Sequence, residues 1–322
     1  MIFLMVLSTS RRSSRTGQRA HMHHLAWGVV CVLLLLSIGG LWVHAQSLEN
    51  QNTALEKQVT SLQSRGETTC VVDSSWKAND DRTLTALGRQ YLVHTPAVFR
   101  TDTYYPLVMF YPGKGNTAEV GKRVYGLDTL PAILVYPSPT PSTDGSLAWE
   151  GAPYSSHADD VAFTSAILDK LQAELCVDKK KTYAVGMSNG GGFASLLSCR
   201  LADRFAAFAV ASGAMYAPSG ECTPATPRPL INIHGDNDGI VPYEGSLVRH
   251  LPHIDSWVAT RAHKNGCKGS STTSPAINQI VTVWTNCTNG ATVENIRMVG
   301  GGHAWGQVPN DTLWQFLSRY SL

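Results

Sequence analysis

The chain has 322 residues, 43% of them apolar and 16% charged, with a formal net charge of +2; this suits one large globular α/β domain plus a small extra segment. No basic cluster falls inside the region expected to fold, which argues against nucleic acid as a partner. None of the seven cysteines stands in C-x-x-C spacing, which argues against a zinc site.

Residues 1–24 form a basic segment carrying Arg11, Arg12, Arg15 and Arg19. Arg11-Arg12 is not followed by the apolar residues of a twin-arginine signal. Residues 25–45 contain an uncharged apolar run from Leu25 to Val43, long enough to span a bilayer and preceded by positive charge. Val43-His44-Ala45 resembles a signal-peptidase site, so this stretch reads as a signal peptide or a transmembrane anchor, and the rest of the chain as exported. In residues 46–69 Leu48, Leu55 and Leu62 recur every seven positions, with Asn52 and Val59 between them, the pattern of a helical stalk or linker.

The main folded domain is expected over residues 70–322. Strands are predicted at Tyr91 to His94, Leu107 to Tyr111, Ala132 to Tyr136, Thr182 to Val185, Phe208 to Ala211 and Leu230 to His234. Helices are predicted at Asp159 to Leu175, Asn189 to Leu201, Leu247 to Lys264 and Thr312 to Tyr320. This alternation implies an α/β fold with a mainly parallel sheet and helices on both faces. The stretch from Pro137 to Gly145 reads as a loop at the C-terminal end of a strand, where open α/β sheets place their ligands.

Gly186-Met187-Ser188-Asn189-Gly190 fits G-x-S-x-G between a predicted strand and a predicted helix, which points to Ser188 as a nucleophile on a strained turn. The Asn189 backbone N–H then lies at a helix N-terminus, where an oxyanion is stabilised. A serine needs a base and a group that orients the base, and in an α/β-hydrolase arrangement these follow in the order Ser, acid, His. The strand at Leu230 to His234 runs into a turn bearing Asp236 and Asp238, and the glycine loop Gly300-Gly301-Gly302 delivers His303. Residue chemistry alone leaves the choice between the two aspartates open. Among the eleven histidines, only His303 follows the acid in such a loop; His234, at its strand end, reads as a buried hydrogen-bonding residue.

Leu175-Cys176-Val177-Asp178, Gly186-Met187-Ser188-Asn189-Gly190-Gly191, His234-Gly235-x-x-Asp238-x-x-Val241-Pro242-Tyr243 and Gly302-His303-x-Trp305 together resemble the secreted polyhydroxybutyrate depolymerase and feruloyl esterase family. The resemblance covers roughly residues 107 to 320 and implies the α/β-hydrolase fold, with Asp238 as the acid. It also implies a second oxyanion donor after an early strand, where the family carries His-Gly. Here the residues are Tyr111-Pro112-Gly113-Lys114-Gly115, with Pro112 in place of the His, and the Lys114 backbone is the expected donor.

The implied activity is hydrolysis of carboxylic esters, of a polyester or of feruloyl or acetyl groups on polysaccharide, through an acyl-enzyme and without metal or organic cofactor. An acyltransferase of the same fold and a non-enzymatic membrane-tethered binding protein are the alternatives. Trp149, Tyr154 and Trp305 are candidates to line the substrate cleft. Cys31 lies in the apolar run, and the other six cysteines are expected as the disulfides Cys176–Cys199, Cys267–Cys287 and Cys70–Cys222 of an exported protein.

Overall fold

The computed structural model describes residues 45–53, 70, 72–307 and 309–322. The expected signal or anchor segment lies outside the described residues except for its last residue. Of the expected stalk, residues 46–53 lie in an exposed helix over 45–53 and the remainder lies outside. Among the described residues, no helix is long and apolar enough to cross a membrane.

Residues Cys70–Leu322 form one compact unit. It is built on a ten-stranded sheet in the order β1-β2-β4-β3-β7-β8-β9-β12-β11-β10. The strands that position the site are β3 (Tyr105–Tyr111), β4 (Ile133–Pro137), β7 (Val177–Met187), β8 (Ala207–Ala211), β9 (Leu230–Gly235) and β12 (Val293–Met298). These pair in parallel, whereas β1 (Asp81–Ala86), β2 (Arg89–His94), β10 (Gly269–Ala276) and β11 (Gln279–Thr285) form antiparallel edges. A two-stranded ribbon of β5 (Thr140–Pro141) and β6 (Leu147–Ala148) folds the predicted Pro137 to Gly145 loop back on itself.

Period-2 alternation divides the core between the two faces. Leu107, Met109 and Tyr111 of β3 join Phe193, Phe163 and Val210 in one cluster. Val108 and Phe110 join Leu134, Val185, Ile233 and Phe316 in the other. The helices α1 (Ala118–Tyr125), α2 (Asp160–Glu174), α3 (Asn189–Arg200), α4 (Ala217–Gly220), α5 (Ile254–Lys264) and α6 (Asn310–Leu317) cover these faces. α3 is buried from Asn189 to Ser198, as expected of a helix apolar almost all round. The helix predicted from Leu247 begins only at Ile254: Pro252 precedes its first turn, and His250, at φ 53°, turns the chain before it.

Two of the expected disulfides are corrected. Cys267–Cys287 forms as expected, but the others are Cys70–Cys176 and Cys199–Cys222. α3 does run back along β7, yet Cys176 sits at the entry to β7 beside the start of the unit, its sulfur 3.5 Å from the Thr101 carbonyl. Cys199 faces α5 instead. There the buried Arg261 guanidinium reaches both sulfurs, 3.3 Å from Cys199 and 3.5 Å from Cys222, and the Ser195 and Ser198 hydroxyls. Burial pulls the Arg261 pKa down to about 10.

Candidate active site

β7 ends at Met187, and Ser188 adopts φ 56° and ψ −122°, a conformation that costs a non-glycine residue roughly 1–3 kcal/mol. Three backbone bonds hold it there. Ser188 N donates to Ala211 O (2.9 Å), and Ser188 O accepts from Gly192 N (3.0 Å) and Ala214 N (2.9 Å). The flanking glycines are required by contact: a side-chain carbon at Gly186 would collide with the Gly190 carbonyl, and one at Gly190 with the Tyr111 carbonyl. Ser188 thus stands half-buried at the start of α3, whose first-turn N–H groups have no partner within the helix.

The loop after β9 separates the two aspartates. Asp238 is fully buried at its side chain, and its Oδ2 lies 2.7 Å from His303 Nδ1. Its Oδ1 accepts from Ile240 N and Val241 N, both at 2.8 Å. Behind it, His234 Nε2 bonds Val241 O at 2.9 Å and lies 3.3 Å from Asp238 Oδ2. His234 is therefore the buried hydrogen-bonding residue that its strand-end position suggests. Burial pushes the Asp238 carboxyl up, but His234, His303 and the Val241 N–H outweigh it and hold the group well below the usual carboxylate range. His303 retains 16% side-chain exposure, so the pair meets solvent through the imidazole alone.

Asp236 turns the other way. It accepts from Arg297 Nε (3.0 Å) and Gly300 N (2.7 Å), which fixes the glycine loop leading to His303. Gln307 ties the far side of that loop through Gly302 O and Ala304 O, both at 3.0 Å.

The turn after β3 packs directly on the nucleophile: a side-chain carbon at Gly113 would lie 3.2 Å from the Ser188 Cβ. Lys114, the residue expected to supply the second oxyanion donor through its backbone, follows Gly113 in this turn. The Lys114 ammonium itself leads away, paired with Asp144 and lying 4.1 Å above the Tyr154 ring.

Trp149, expected to line the cleft, has no exposed surface. Its ring stacks on Phe193 (5.4 Å, 12°) and meets Tyr111 edge-on (5.1 Å). Its Nε1 donates to Pro112 O (2.9 Å), its backbone N donates to Asn189 Oδ1 (2.7 Å), and its backbone O accepts from Asn189 Nδ2 (3.3 Å). One residue therefore clamps both segments expected to bind an oxyanion. The next residue, Glu150, donates its N–H to Asp160 Oδ2 (2.7 Å), and the buried Asp160 pairs with Arg89 at 2.6 Å. Trp305 is half-buried: its ring packs edge-on against Phe110 and Tyr125, and its Nε1 bonds Asn310 Oδ1 (3.1 Å). Tyr154 packs edge-on against Tyr216 at 5.9 Å.

No protein-family model matches the chain. It is 31% identical to feruloyl esterase B of Piromyces equi over 254 residues, 73% of this chain and 46% of that protein. The chain thus spans just under half the length of that relative. It is 26% identical over 242 residues to the probable feruloyl esterase C of Aspergillus clavatus, 71% of this chain and 83% of that one. A bifunctional acetylxylan esterase/xylanase of Neocallimastix patriciarum is 24% identical over 76% of this chain and 35% of its own. Among solved structures, the acetyl xylan esterase from Aspergillus awamori superposes with a TM-score of 0.57 at 15% identity, over 74% of this chain and 99% of that one. The parallel sheet, the strained serine between β7 and α3, and these comparisons agree: the chain has the α/β-hydrolase fold and is a homologue of proteins named feruloyl esterase and acetylxylan esterase.

Proposed function

We propose that the chain is an extracytoplasmic serine esterase that hydrolyses feruloyl or acetyl esters of polysaccharide with Ser188, His303 and Asp238. The observation that carries this reading is the 2.7 Å contact between a buried, multiply bonded Asp238 and a half-buried His303 in the same unit as the strained Ser188. With Nδ1 committed to Asp238, His303 Nε2 is the atom that takes the Ser188 proton as Oγ attacks the ester carbonyl. The oxyanion forms against the Asn189 and Lys114 N–H groups. Collapse breaks the ester C–O bond, and the alcohol leaves with the proton from His303. Water then attacks the acyl-enzyme, His303 takes its proton, and the carboxylic acid departs as Ser188 is restored. Side chains present in the chain supply every proton transfer. The names of the homologues support feruloyl and acetyl groups as the acyl part. Three disulfides fit an oxidising compartment.

The test is hydrolysis of p-nitrophenyl acetate by wild type and Ser188→Ala, followed by methyl ferulate, acetylated xylan and polyhydroxybutyrate film. Release from the first two natural-type substrates, abolished in Ser188→Ala, is expected. Equal rates in wild type and variant would remove Ser188 from the chemistry. Turnover of the polyester film alone would move the acyl class.

A further inference from the structure

A cavity of about 710 Å³ is not lined by Ser188, Asp238 or His303. It is linked to them through a cluster of apolar residues. Two of its lining residues, Ala152 and Tyr216, belong to a small apolar cluster with Ala214 and Val241. Ala214 N is bonded to Ser188 O, and Val241 N to Asp238 Oδ1. One wall carries Arg249, which donates to the Tyr216 hydroxyl at 3.3 Å and to the carbonyl of Ile240, in the turn that carries Asp238. The lining also carries Arg200, 3.5 Å from Glu150.

Three features select the occupant. Leaving the histidines aside, the formal charges of the lining balance, Arg200 and Arg249 against Glu150 and Asp159, so the cavity favours neither an anion nor a cation. The lining combines donors and acceptors with the apolar Ala152, Ala217 and Pro218, a combination suited to a ring that carries both hydroxyls and C–H groups. A second cavity, of about 420 Å³, shares Ala217 and His250 with the first, so the two adjoin as one track.

We propose that this track is a subsite for the neutral carbohydrate chain that carries the ester. The proposal rests on the polysaccharide-esterase reading above and adds to it the place where the polymer lies, with Glu150, Arg200 and Arg249 as its hydrogen-bonding residues.

The experiment measures equilibrium binding of unsubstituted xylohexaose to the full chain by calorimetry, for wild type, Glu150→Gln and Arg200→Gln. Alongside it, kcat/KM is measured on acetylated xylo-oligosaccharide and on methyl ferulate. Loss of one charged hydrogen-bonding partner is expected to weaken xylohexaose roughly ten-fold, and to lower the ratio of kcat/KM for the oligosaccharide to that for methyl ferulate by about the same factor. Wild type that fails to bind xylohexaose, or variants that leave both the affinity and the ratio unmoved, would overturn the subsite. Xylohexaose binding that depends on Glu150 in a protein that hydrolyses no ester would leave the subsite standing and sink the esterase reading instead.

Discussion

Replacing Trp149 by Phe isolates the clamp on the proposed oxyanion site. Phe keeps the stacking on Phe193 and the edge contact with Tyr111, but it removes the indole N–H that bonds Pro112 O at 2.9 Å. Pro112 is buried, so its carbonyl loses this partner without water to replace it, at a cost of about 1–3 kcal/mol. The turn that presents the Lys114 N–H is then free to shift away from Ser188, whereas Asn189 stays bound to the backbone of residue 149. If the whole cost appears in the transition state, kcat falls by roughly 5- to 150-fold with KM nearly constant, because the donor acts on the charge that develops during attack. Steady-state hydrolysis of p-nitrophenyl acetate, well below the unfolding midpoint of the variant, separates this from instability caused by the smaller ring. A kcat within two-fold of wild type, or a loss expressed wholly in KM, would refute the clamp. Asn189→Ala removes the other half of the same clamp, so the double variant should lose less than the product of the two single losses.

Ser188→Ala and His303→Ala should each abolish nearly all esterase activity, with the double variant scarcely worse, because the triad acts as one unit; multiplicative losses in kcat would break that assignment. Asp238→Asn should lower kcat by about four decades, and Asp236→Asn far less, since Asp236 bonds Arg297 and Gly300 rather than His303; the reverse ranking would exchange their roles. Arg89→Met should destabilise by roughly 3–5 kcal/mol near pH 8, because it strands a buried Asp160 carboxylate whose pKa burial already raises. A carboxyl with a raised folded pKa is most costly to the fold above that pKa. Urea unfolding at pH 8 and pH 5 should therefore show the deficit shrinking as pH falls, and an equal deficit at both would exclude the stranded charge. Non-reducing peptide mapping should yield Cys70–Cys176, Cys199–Cys222 and Cys267–Cys287. Loop entropy makes the first, which spans 106 residues, worth about 5 kcal/mol and the last, spanning 20, about 3 kcal/mol.

The central strands were legible because a strand covered on both faces is apolar along its length: β4, β8 and β9 are buried at every position. The edges were not. β1 reads Asp-Arg-Thr-Leu-Thr-Ala, and β10 reads Gly-Ser-Ser-Thr-Thr-Ser-Pro-Ala with little burial, a composition that marks a loop as readily as a strand. Helix α1 was missed because it has only eight residues, five of them exposed or partly so, and its Thr117 cap carries little weight without the structure around it. Helix α5 does not extend back to the predicted Leu247, because Leu247 and Val248 contribute no buried apolar face. Both are more than 90% exposed, on a turn that closes before Pro252.

The triad candidates and Trp149 differ in where their roles are written. Ser188 and His303 each stand in a glycine-bearing turn after a strand, in the chain order Ser, acid, His, so local pattern points to them, whereas the choice of Asp238 over Asp236 comes from the family resemblance. Trp149 is decided by a meeting of segments 37 and 40 residues apart: its indole reaches Pro112 after β3, and its backbone reaches the side chain at the head of α3. Nothing within a few residues of Trp149 distinguishes an indole that faces a substrate from one that faces a carbonyl, and both readings satisfy the same composition. The cysteines obey the same rule. The pair that flanks its own hairpin was readable, while Cys176 and Cys199 were parted by the direction each sulfur takes from its element. What the sequence conceals is thus the layer that holds the proposed chemistry in place, because that layer is made of contacts between elements rather than of residues within one.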